Sequence, residues 1–339
     1  MRKITLFILV IVLSTFFLVQ TGLAADAEYK IRCSIGLPEH MFVAREFKDW
    51  ANLIEEKTNG KVDVEIYFGG QLYKDVPVIE AIQIGAVEAG NIYSNFIESV
   101  VPEFGVFNLP LLFDTTAELE KVFDSDIGKI LLNKAESKGL KILGRFFWPQ
   151  EDIAFVSTKQ IKVPKDLKGL KVRATASAQA DWLKSLGAAP VYISGSEMYM
   201  GFQRGTLDAA ISALTGTVER KLYEVATYTT FLGGCSTIAM PTINKRYFSK
   251  LPEDIQQAII EASVEMSAKS AEYAVNLHNE LLGEAKELKI NMYHPTEEEL
   301  LLWRVGLKDT WRKSLAKQPG VLVLADGVLD LLGKADYFK

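Results

Sequence analysis

Arg173 is the residue whose surroundings best suit a binding function. It ends the strand-like segment Gly169 to Arg173 and is followed by small residues that leave space around it. Ligands of open α/β sheets bind beyond the carboxyl ends of strands, and a guanidinium there can hold a carboxylate through two parallel hydrogen bonds. The local sequence fits a surface salt bridge equally well, so both interpretations stay open on this evidence.

Aromatic and polar side chains near the junction that we expect between two lobes of the chain supply further candidates. Phe146, Phe147 and Trp148 precede Pro149 and would form a cleft wall, although such clusters more often belong to a core. Tyr93 ends a strand that follows a glycine turn. The full candidate ligand-binding set is Arg173, Tyr93, Trp148, Gln150, Ser212, His40, Gln71 and Trp182.

Enzyme signatures are missing from the sequence. His40, His278 and His294 lack metal-ligand spacing, and no nucleophile elbow, phosphate-binding loop or dinucleotide glycine fingerprint occurs. Cys33 and Cys235 have no nearby histidine in sequence; we expect two buried thiols, while their pairing stays open. We therefore expect a binding protein rather than an enzyme, with no cofactor and no metal.

The first part of the chain predicts a β-α-β-α-β unit, which is the repeating unit of a parallel sheet. Apolar residues alternate with a period of two in the strands and recur at helical spacing between them. Asp75 opens the second helical pattern, and Gly85 closes it. The predicted order is strand Tyr29 to Ile35, helix around Phe47 to Ile54, strand Val62 to Phe68, helix Asp75 to Gly85 and strand Ala86 to Ile92.

A similar order returns after about residue 165, with a strand at Leu170 to Ala174, a helix at Ser177 to Leu186 and a strand at Val191 to Ile193. Residues 81–92, AIQIGAVEAGNI, resemble residues 201–212, GFQRGTLDAAIS, at a constant offset of 120 positions. Two lobes of related construction would explain the repeat. A chance match between two helix-glycine-strand passages is the alternative.

A long helix is predicted from Pro252 to Leu288, about 55 Å in length. One lobe is too small to cover it, so we expect it to cross two hinged lobes that enclose a cleft. The fold class is therefore α/β with two lobes. We expect lobe I to contain residues 25–150 and about 240–275, and lobe II to contain residues 151–239 and about 276–339.

The N-terminus predicts export. Arg2 and Lys3 precede an apolar run from Ile4 to Val19. That run is shorter than the roughly 20 residues of a spanning helix, so we expect a cleavable signal peptide at residues 1–24 rather than a membrane anchor. The cleavage position among Ala24, Ala25 and Ala27 stays open, and we expect a periplasmic protein. A formal net charge of −5 gives no basic excess for nucleic acid.

Several motifs, in order, resemble the DctP-type solute-binding proteins of tripartite ATP-independent periplasmic (TRAP) transporters. The resemblance covers essentially the whole chain after the predicted signal peptide. Its motifs are Lys57 to Gly60, Gly69 to Leu72, Glu80 to Gly85, Val101 to Pro110, Asp166 to Arg173, Gly187 to Pro190, Gly205 to Asp208 and Tyr223 to Val225.

The resemblance implies a two-lobed periplasmic-binding-protein fold of type II-like architecture. It also implies a receptor that closes on an organic acid and delivers it to a membrane permease driven by an ion gradient, without ATP hydrolysis. Arg173 falls on the family's principal carboxylate-binding arginine. We expect a monomer. A ligand-sensing periplasmic protein of the same fold and, less favoured, a periplasmic enzyme are the alternatives.

Three departures from the family's pattern bear on the ligand. Asp152 and Ile153 stand where a second arginine is common, Ser212 stands where an asparagine is common, and residues 233–235 replace a polar residue such as histidine. The resemblance therefore implies a thinned polar pocket with one arginine, and unpaired polar groups of a small diacid would be costly there. The pocket would be completed by Trp148, Tyr93 and either Trp182 or Tyr192. We expect an aromatic or keto monocarboxylate, with a C4-dicarboxylate as the alternative.

Overall fold

The computed structural model describes residues 27–149, 151, 153–233, 236–316 and 318–335. The predicted signal peptide, Gln150, Asp152 and Cys235 lie outside these ranges. Within them, every helix is too short or too polar to cross a membrane.

The first of two sheets confirms the predicted parallel unit. Its strands run in the order β2-β1-β3-β11-β4, with β5 also paired to β11. Strand β1 is parallel to both β2 and β3, whereas β11 is antiparallel to β3. The strands are β1 (Tyr29–Ser34), β2 (Val62–Tyr67), β3 (Ala89–Tyr93), β4 (Leu140–Ile142), β5 (Phe146–Phe147) and β11 (Ile238–Asn244). The associated helices are α1 (Phe42–Lys57), α2 (Pro77–Ile84), α3 (Ser94–Ile97), a 3-10 helix (Pro102–Asn108), α4 (Thr116–Phe123), α5 (Asp126–Ser137) and α9 (Lys245–Phe248).

The second sheet has the strand order β12-β10-β6-β9-β7-β8. Strand β7 is parallel to its neighbours β8 and β9, and β6 is antiparallel to β9. The strands are β6 (Ile153–Ser157), β7 (Lys171–Arg173), β8 (Ala189–Val191), β9 (Ala209–Ala213), β10 (Tyr228–Phe231) and β12 (Asn291–Tyr293). The helices between them are α6 (Ser177–Ser185), α7 (Met198–Gln203) and α8 (Leu214–Glu219), with 3-10 turns at Pro164–Leu167, Gly195–Glu197 and Leu222–Glu224.

The internal repeat is also a structural repeat. The β3 and β9 ranges are related by the same offset of 120 positions, and the local strand orders β2-β1-β3 and β8-β7-β9 correspond. Gly85 and Gly205 precede these strands with φ values of 77° and 67°. Side chains with a Cβ rarely adopt that left-handed region, so both turns favour glycine.

The long helix α10 spans Glu253–Glu287, close to its predicted bounds, and crosses both lobes. Ile255 and Ile259 near its start belong to the core of the first lobe, together with Phe47 of α1. Leu281 and Ala285 near its end belong instead to a core cluster with Phe231 of β10. One continuous helix therefore carries apolar contacts to both sheets.

Serine side chains of α10 fix the strand that leads out of the first sheet. The Ser267 hydroxyl accepts a hydrogen bond from the Arg145 backbone N–H at 3.0 Å, and the Ser270 hydroxyl accepts one from the Phe147 N–H at 2.9 Å. The chain passes into the second sheet directly after β5 and returns between β10 and β11. The long helix thus anchors one of the crossings between the lobes.

The segment after α10 contacts both lobes. It contains helices α11 (Glu297–Arg304), α12 (Leu307–Ser314) and α13 (Pro319–Leu332). Helix α12 packs against α6, whereas α13 packs against the 3-10 helix Pro102–Asn108 and against α4 and α5. Lys334 then donates to the carboxylates of Asp114 and Glu118 at 2.9 and 2.7 Å. The division of the chain into lobes at the expected boundaries stays a prediction.

Candidate functional site

A cavity of about 350 Å³ lies between the two lobes and is the candidate ligand site. Both sheets contribute to its walls at the carboxyl ends of strands, where ligands bind in such sheets. The structure brings together five of the eight residues proposed from sequence: Arg173, Tyr93, Trp148, Ser212 and His40.

Arg173 is held rigidly at the end of β7. The side chain is only 9% exposed, and its Nε donates to the Ile193 carbonyl at 2.9 Å while Nη1 donates to the Ile211 carbonyl at 3.0 Å. Nη2 has no hydrogen-bond partner within the described ranges, so it is available to a ligand in the cavity. Burial, together with the charge of Arg220, lowers the pKa of Arg173 to about 10. The guanidinium is therefore still charged at neutral pH.

Arg220 is a second cavity arginine that the sequence interpretation missed. It directly follows α8, and its guanidinium carbon lies 5.9 Å from the centre of the Trp148 ring. That guanidinium has no hydrogen-bond partner in the part of the chain that the structure describes. Burial lowers the pKa of Arg220, and Asp75 is among the acidic groups that oppose this. The expectation of a single arginine was wrong, because the second one comes from another element.

Glycine makes the room that Arg220 occupies. A Cβ at Gly216, one helical turn earlier, would lie 2.7 Å from Arg220 Nη1 and 3.0 Å from Ser212 Oγ. A Cβ at Gly195 would lie 3.3 Å from Arg220 Nη2. The Gly216 contact follows from helical i, i+4 spacing, but the contact with Gly195 cannot be inferred from spacing along the chain, which explains why Arg220 was not identified from sequence.

An apolar wall faces the arginines. Trp148 is 8% exposed, and Tyr93 packs edge-to-face on Phe96 with ring centres 6.0 Å apart. Met41 and Met198 also line the cavity. The site therefore combines two cations with a surface suited to the carbon body of a ligand.

Glu219 of the second lobe makes a direct contact with the first. Its Oε1 accepts a hydrogen bond from the backbone N–H of Phe42 at 2.6 Å. Phe42 begins helix α1, whose N-cap residue Met41 provides no side-chain cap. A carboxylate is favourable at a helix N-terminus, so this contact stabilises the arrangement of the lobes that the structure shows.

Two described candidates from sequence, Trp182 and Gln71, do not line the cavity. Trp182 is corrected to a core residue: it is 2% exposed and packs with Phe155 and Trp303, at ring-centre distances of 6.0 Å each. Gln71 is exposed in the turn after β2 and is not among the cavity residues. Gln150 lies outside the described residues.

Asp75 was also misread from sequence. The helical pattern suggested that it opens α2, but the N-cap of that helix is Val76 and the Asp75 carboxyl lines the cavity. Burial raises the pKa of Asp75, while the charges of Arg220 and Arg173 act in the opposite direction. The cavity lining thus includes two acidic residues, Asp75 and Glu219, as well as the two arginines.

The cysteine and metal expectations concern other parts of the molecule. Cys33 is a buried free thiol in β1, and burial raises its pKa to about 12. Cys235 lies outside the described residues. Within the described ranges, no group of three or more histidine, cysteine, aspartate or glutamate side chains is arranged to hold a metal ion.

The fold and the cleft define a two-lobed receptor for a small solute. Residues 34–318 match the family described as bacterial extracellular solute-binding protein, family 7 (DctP), and the chain belongs to this family. It is a DctP-type solute receptor of the TRAP class rather than an enzyme.

Individual relatives and solved structures are also similar to this chain. The C4-dicarboxylate-binding periplasmic protein DctP of Rhodobacter capsulatus is 32% identical over 254 residues, covering 74% of this chain and 76% of its own. A TRAP periplasmic solute-binding protein from Sulfurospirillum deleyianum with bound succinate has a TM-score of 0.78 at 25% identity, covering 92% of this chain and 100% of its own. One from Chromohalobacter salexigens with bound D-glucuronate has a TM-score of 0.83 at 19% identity, covering 89% and 99%.

Proposed function

We propose that this chain binds an organic acid by its carboxylate at Arg173 and Arg220 and delivers it to membrane permease subunits, acting as a periplasmic monomer. One observation carries the proposal: two guanidinium groups with unpaired N–H donors, among the described residues, face one interlobe cavity. Desolvated cations are costly without a counter-ion, and a carboxylate can receive parallel hydrogen bonds from a guanidinium.

The ligand body is proposed to be that of an aromatic or keto monocarboxylate. Trp148, Phe96, Met41 and Met198 support this by giving the cavity an apolar wall. A C4-dicarboxylate is the second candidate. Arg220 favours it, because a second guanidinium could receive a second carboxylate, and the Rhodobacter capsulatus relative is described as binding C4-dicarboxylates.

Ligand identity is tested by mass spectrometry of small molecules released from the purified protein, followed by calorimetry. Phenylpyruvate and indole-3-pyruvate would be compared with succinate and malate. We expect the aromatic keto acids to bind more tightly. Tight succinate binding without binding of either aromatic acid would replace the first candidate by the second.

The carboxylate site is tested by Arg173→Ala and Arg220→Ala. Each change should weaken binding of the ligand found above by about 2 to 5 kcal/mol, because it leaves a buried carboxylate short of a charged donor. Calorimetry gives the affinities. Arg312→Ala is the matched control, because that arginine is well exposed, with 59% of its side chain accessible. Unchanged affinity in Arg173→Ala would remove this residue from the site.

Delivery is distinguished from sensing and from catalysis by separate observations. A receptor returns its ligand chemically unchanged after denaturation, whereas an enzyme converts it. Neighbouring genes for a large and a small membrane subunit would support transport. Uptake by vesicles containing those subunits, only when this chain is added, is the direct measurement.

A further inference from the structure

The first-lobe wall of the cavity carries a carboxyl oxygen that lacks a donor. Asp75 lies between β2 and α2, and its Oδ1 is buried without a hydrogen-bond partner in the described chain. The side-chain oxygen of Asn95, on the same wall, is also buried without a hydrogen-bond partner in the described chain. Buried acceptors without donors are costly, so this wall is suited to a partner that brings donors with it.

Gly36 fixes the position of the Asp75 carboxyl. A Cβ at Gly36 would lie 1.8 Å from Asp75 Oδ1 and 2.7 Å from its Cγ. Gly36 is not among the residues with positive φ, so glycine is needed there for space rather than for conformation. The carboxyl is therefore placed by close packing against the backbone after β1.

The arginines of the cavity belong to the second lobe, whereas Asp75 belongs to the first lobe. Arg173 and Arg220 of the second lobe both act electrostatically on Asp75, yet no ion pair within 4.0 Å joins it to either in the described residues. Glu219 also lines the cavity, so ionised Asp75 and Glu219 together would already balance the two guanidinium charges, while burial raises the pKa of both carboxyls and favours their neutral forms. A second ligand carboxylate next to Asp75 would bring two like charges together, which disfavours ionisation of both.

We propose that Asp75 is a specificity-determining residue that accepts a hydrogen bond from a hydroxyl, amide N–H or ammonium group of the ligand. That donor lies at the end of the ligand away from the carboxylate held by the arginines. The inference rests on the proposed carboxylate site and narrows its ligand class to acids that carry such a donor. A site built around a buried acceptor discriminates strongly against analogues that lack the donor.

The test compares pairs of acids that differ by one hydroxyl group. The probes are 3-(4-hydroxyphenyl)propanoate against 3-phenylpropanoate, and 4-hydroxybutanoate against butanoate, measured by calorimetry. The wild-type protein should prefer the hydroxylated member of at least one pair by about tenfold or more. Asp75→Asn should reduce this ratio to within about threefold. Asp309→Asn, at an exposed aspartate, is the matched control and should keep the wild-type ratio.

Gly36→Ala provides an independent variant, since its methyl group must displace the Asp75 carboxyl. It should lose the preference as Asp75→Asn does, with circular dichroism confirming that the protein is folded. Equal binding of both members of each pair by the wild-type protein would overturn the inference, as would an unchanged ratio in Asp75→Asn. Arg173→Ala in the same assay separates the two proposals: if it abolishes binding while Asp75→Asn keeps the preference, the carboxylate site stands and the role of Asp75 falls.

Discussion

Glu46 is a buried acid whose protonation is coupled to folding. It lies on α1, is 2% exposed, has no hydrogen-bond partner for either carboxyl oxygen among the described residues, and burial raises its pKa to about 8. Its ordinary pKa is 4.5. At neutral pH the folded protein therefore holds this carboxyl in its neutral form, whereas the unfolded chain ionises it.

Stability should fall as the pH rises from about 5 to about 8, because in that window the unfolded chain binds fewer protons at Glu46 than the folded protein does. The contribution is up to about 1.4 kcal/mol per pH unit. Glu46→Gln should remove it, and urea denaturation at several pH values measures the difference. Glu56→Gln, at an exposed position on the same helix, is the control. An identical pH slope in Glu46→Gln and wild type would contradict the assignment.

The two cavity arginines show what local sequence can reveal about a site. Arg173 is identifiable because it ends a strand and precedes small residues, and the carboxyl end of a strand is a place where ligands bind. Arg220 follows a helix and enters the cavity through space left by Gly195 and Gly216. Gly216 lies on α8, four residues before Arg220, but Gly195 comes from a separate segment, and residue types and spacing do not show how that segment packs.

The two tryptophans considered for the cleft belong to different kinds of element. Trp148 follows the short strand β5 and lies at the cavity under Arg220, whereas Trp182 lies on the inner face of α6. Each tryptophan has an apolar neighbour in the sequence. Sequence alone therefore does not show whether its side chain lines a cleft or lies in a core. Their substitution should therefore have opposite consequences.

Trp182→Ala should lower the free energy of unfolding by about 3 to 5 kcal/mol, because it leaves a cavity between Phe155 and Trp303. Ligand affinity of the folded fraction should change little. Trp148→Ala should weaken ligand binding with a smaller cost in stability. Denaturant titration and calorimetry on both variants measure the two effects. A larger loss of affinity in Trp182→Ala than in Trp148→Ala would return Trp182 to the site.

Helices and strands with a clear apolar periodicity were predicted well. The surfaces against which they pack were not. The long helix was expected at 252–288 and is found at Glu253–Glu287, because its apolar spacing and flanking Pro252 are local signals. Strand β3 begins three residues later than expected and includes Tyr93. The packing of α13 on the first lobe had no local signal, because an apolar helix face does not identify the surface that covers it.

At the scale of the whole molecule, the contact between Glu219 and Phe42 joins elements of the two lobes directly. Helix α1 has no capping side chain of its own, and the second lobe supplies one. Opening of the cleft would break this hydrogen bond and expose the helix N-terminus to water. We therefore expect the contact to form only when the cleft is closed.

Glu219→Gln should shift the balance toward the open arrangement, because a neutral amide oxygen is a weaker acceptor at a helix N-terminus. We expect ligand release to accelerate by about 3- to 10-fold, a change of roughly 1 kcal/mol. Stopped-flow release and small-angle scattering measure rate and shape. Glu224→Gln is the control, because Glu224 bonds Tyr199 within the same lobe. Wild-type release from Glu219→Gln would show that the contact does not hold the lobes.

The donor in this contact is a backbone amide, whereas the acceptor is a side chain. Substitutions therefore affect the acceptor much more readily than the donor. Any of the nineteen substitutions of Glu219 changes the acceptor, whereas at position 42 only proline deletes the donor. Genetic variation can therefore tune the closing equilibrium almost entirely from the second lobe, while the side chain at position 42 remains free to vary for packing alone.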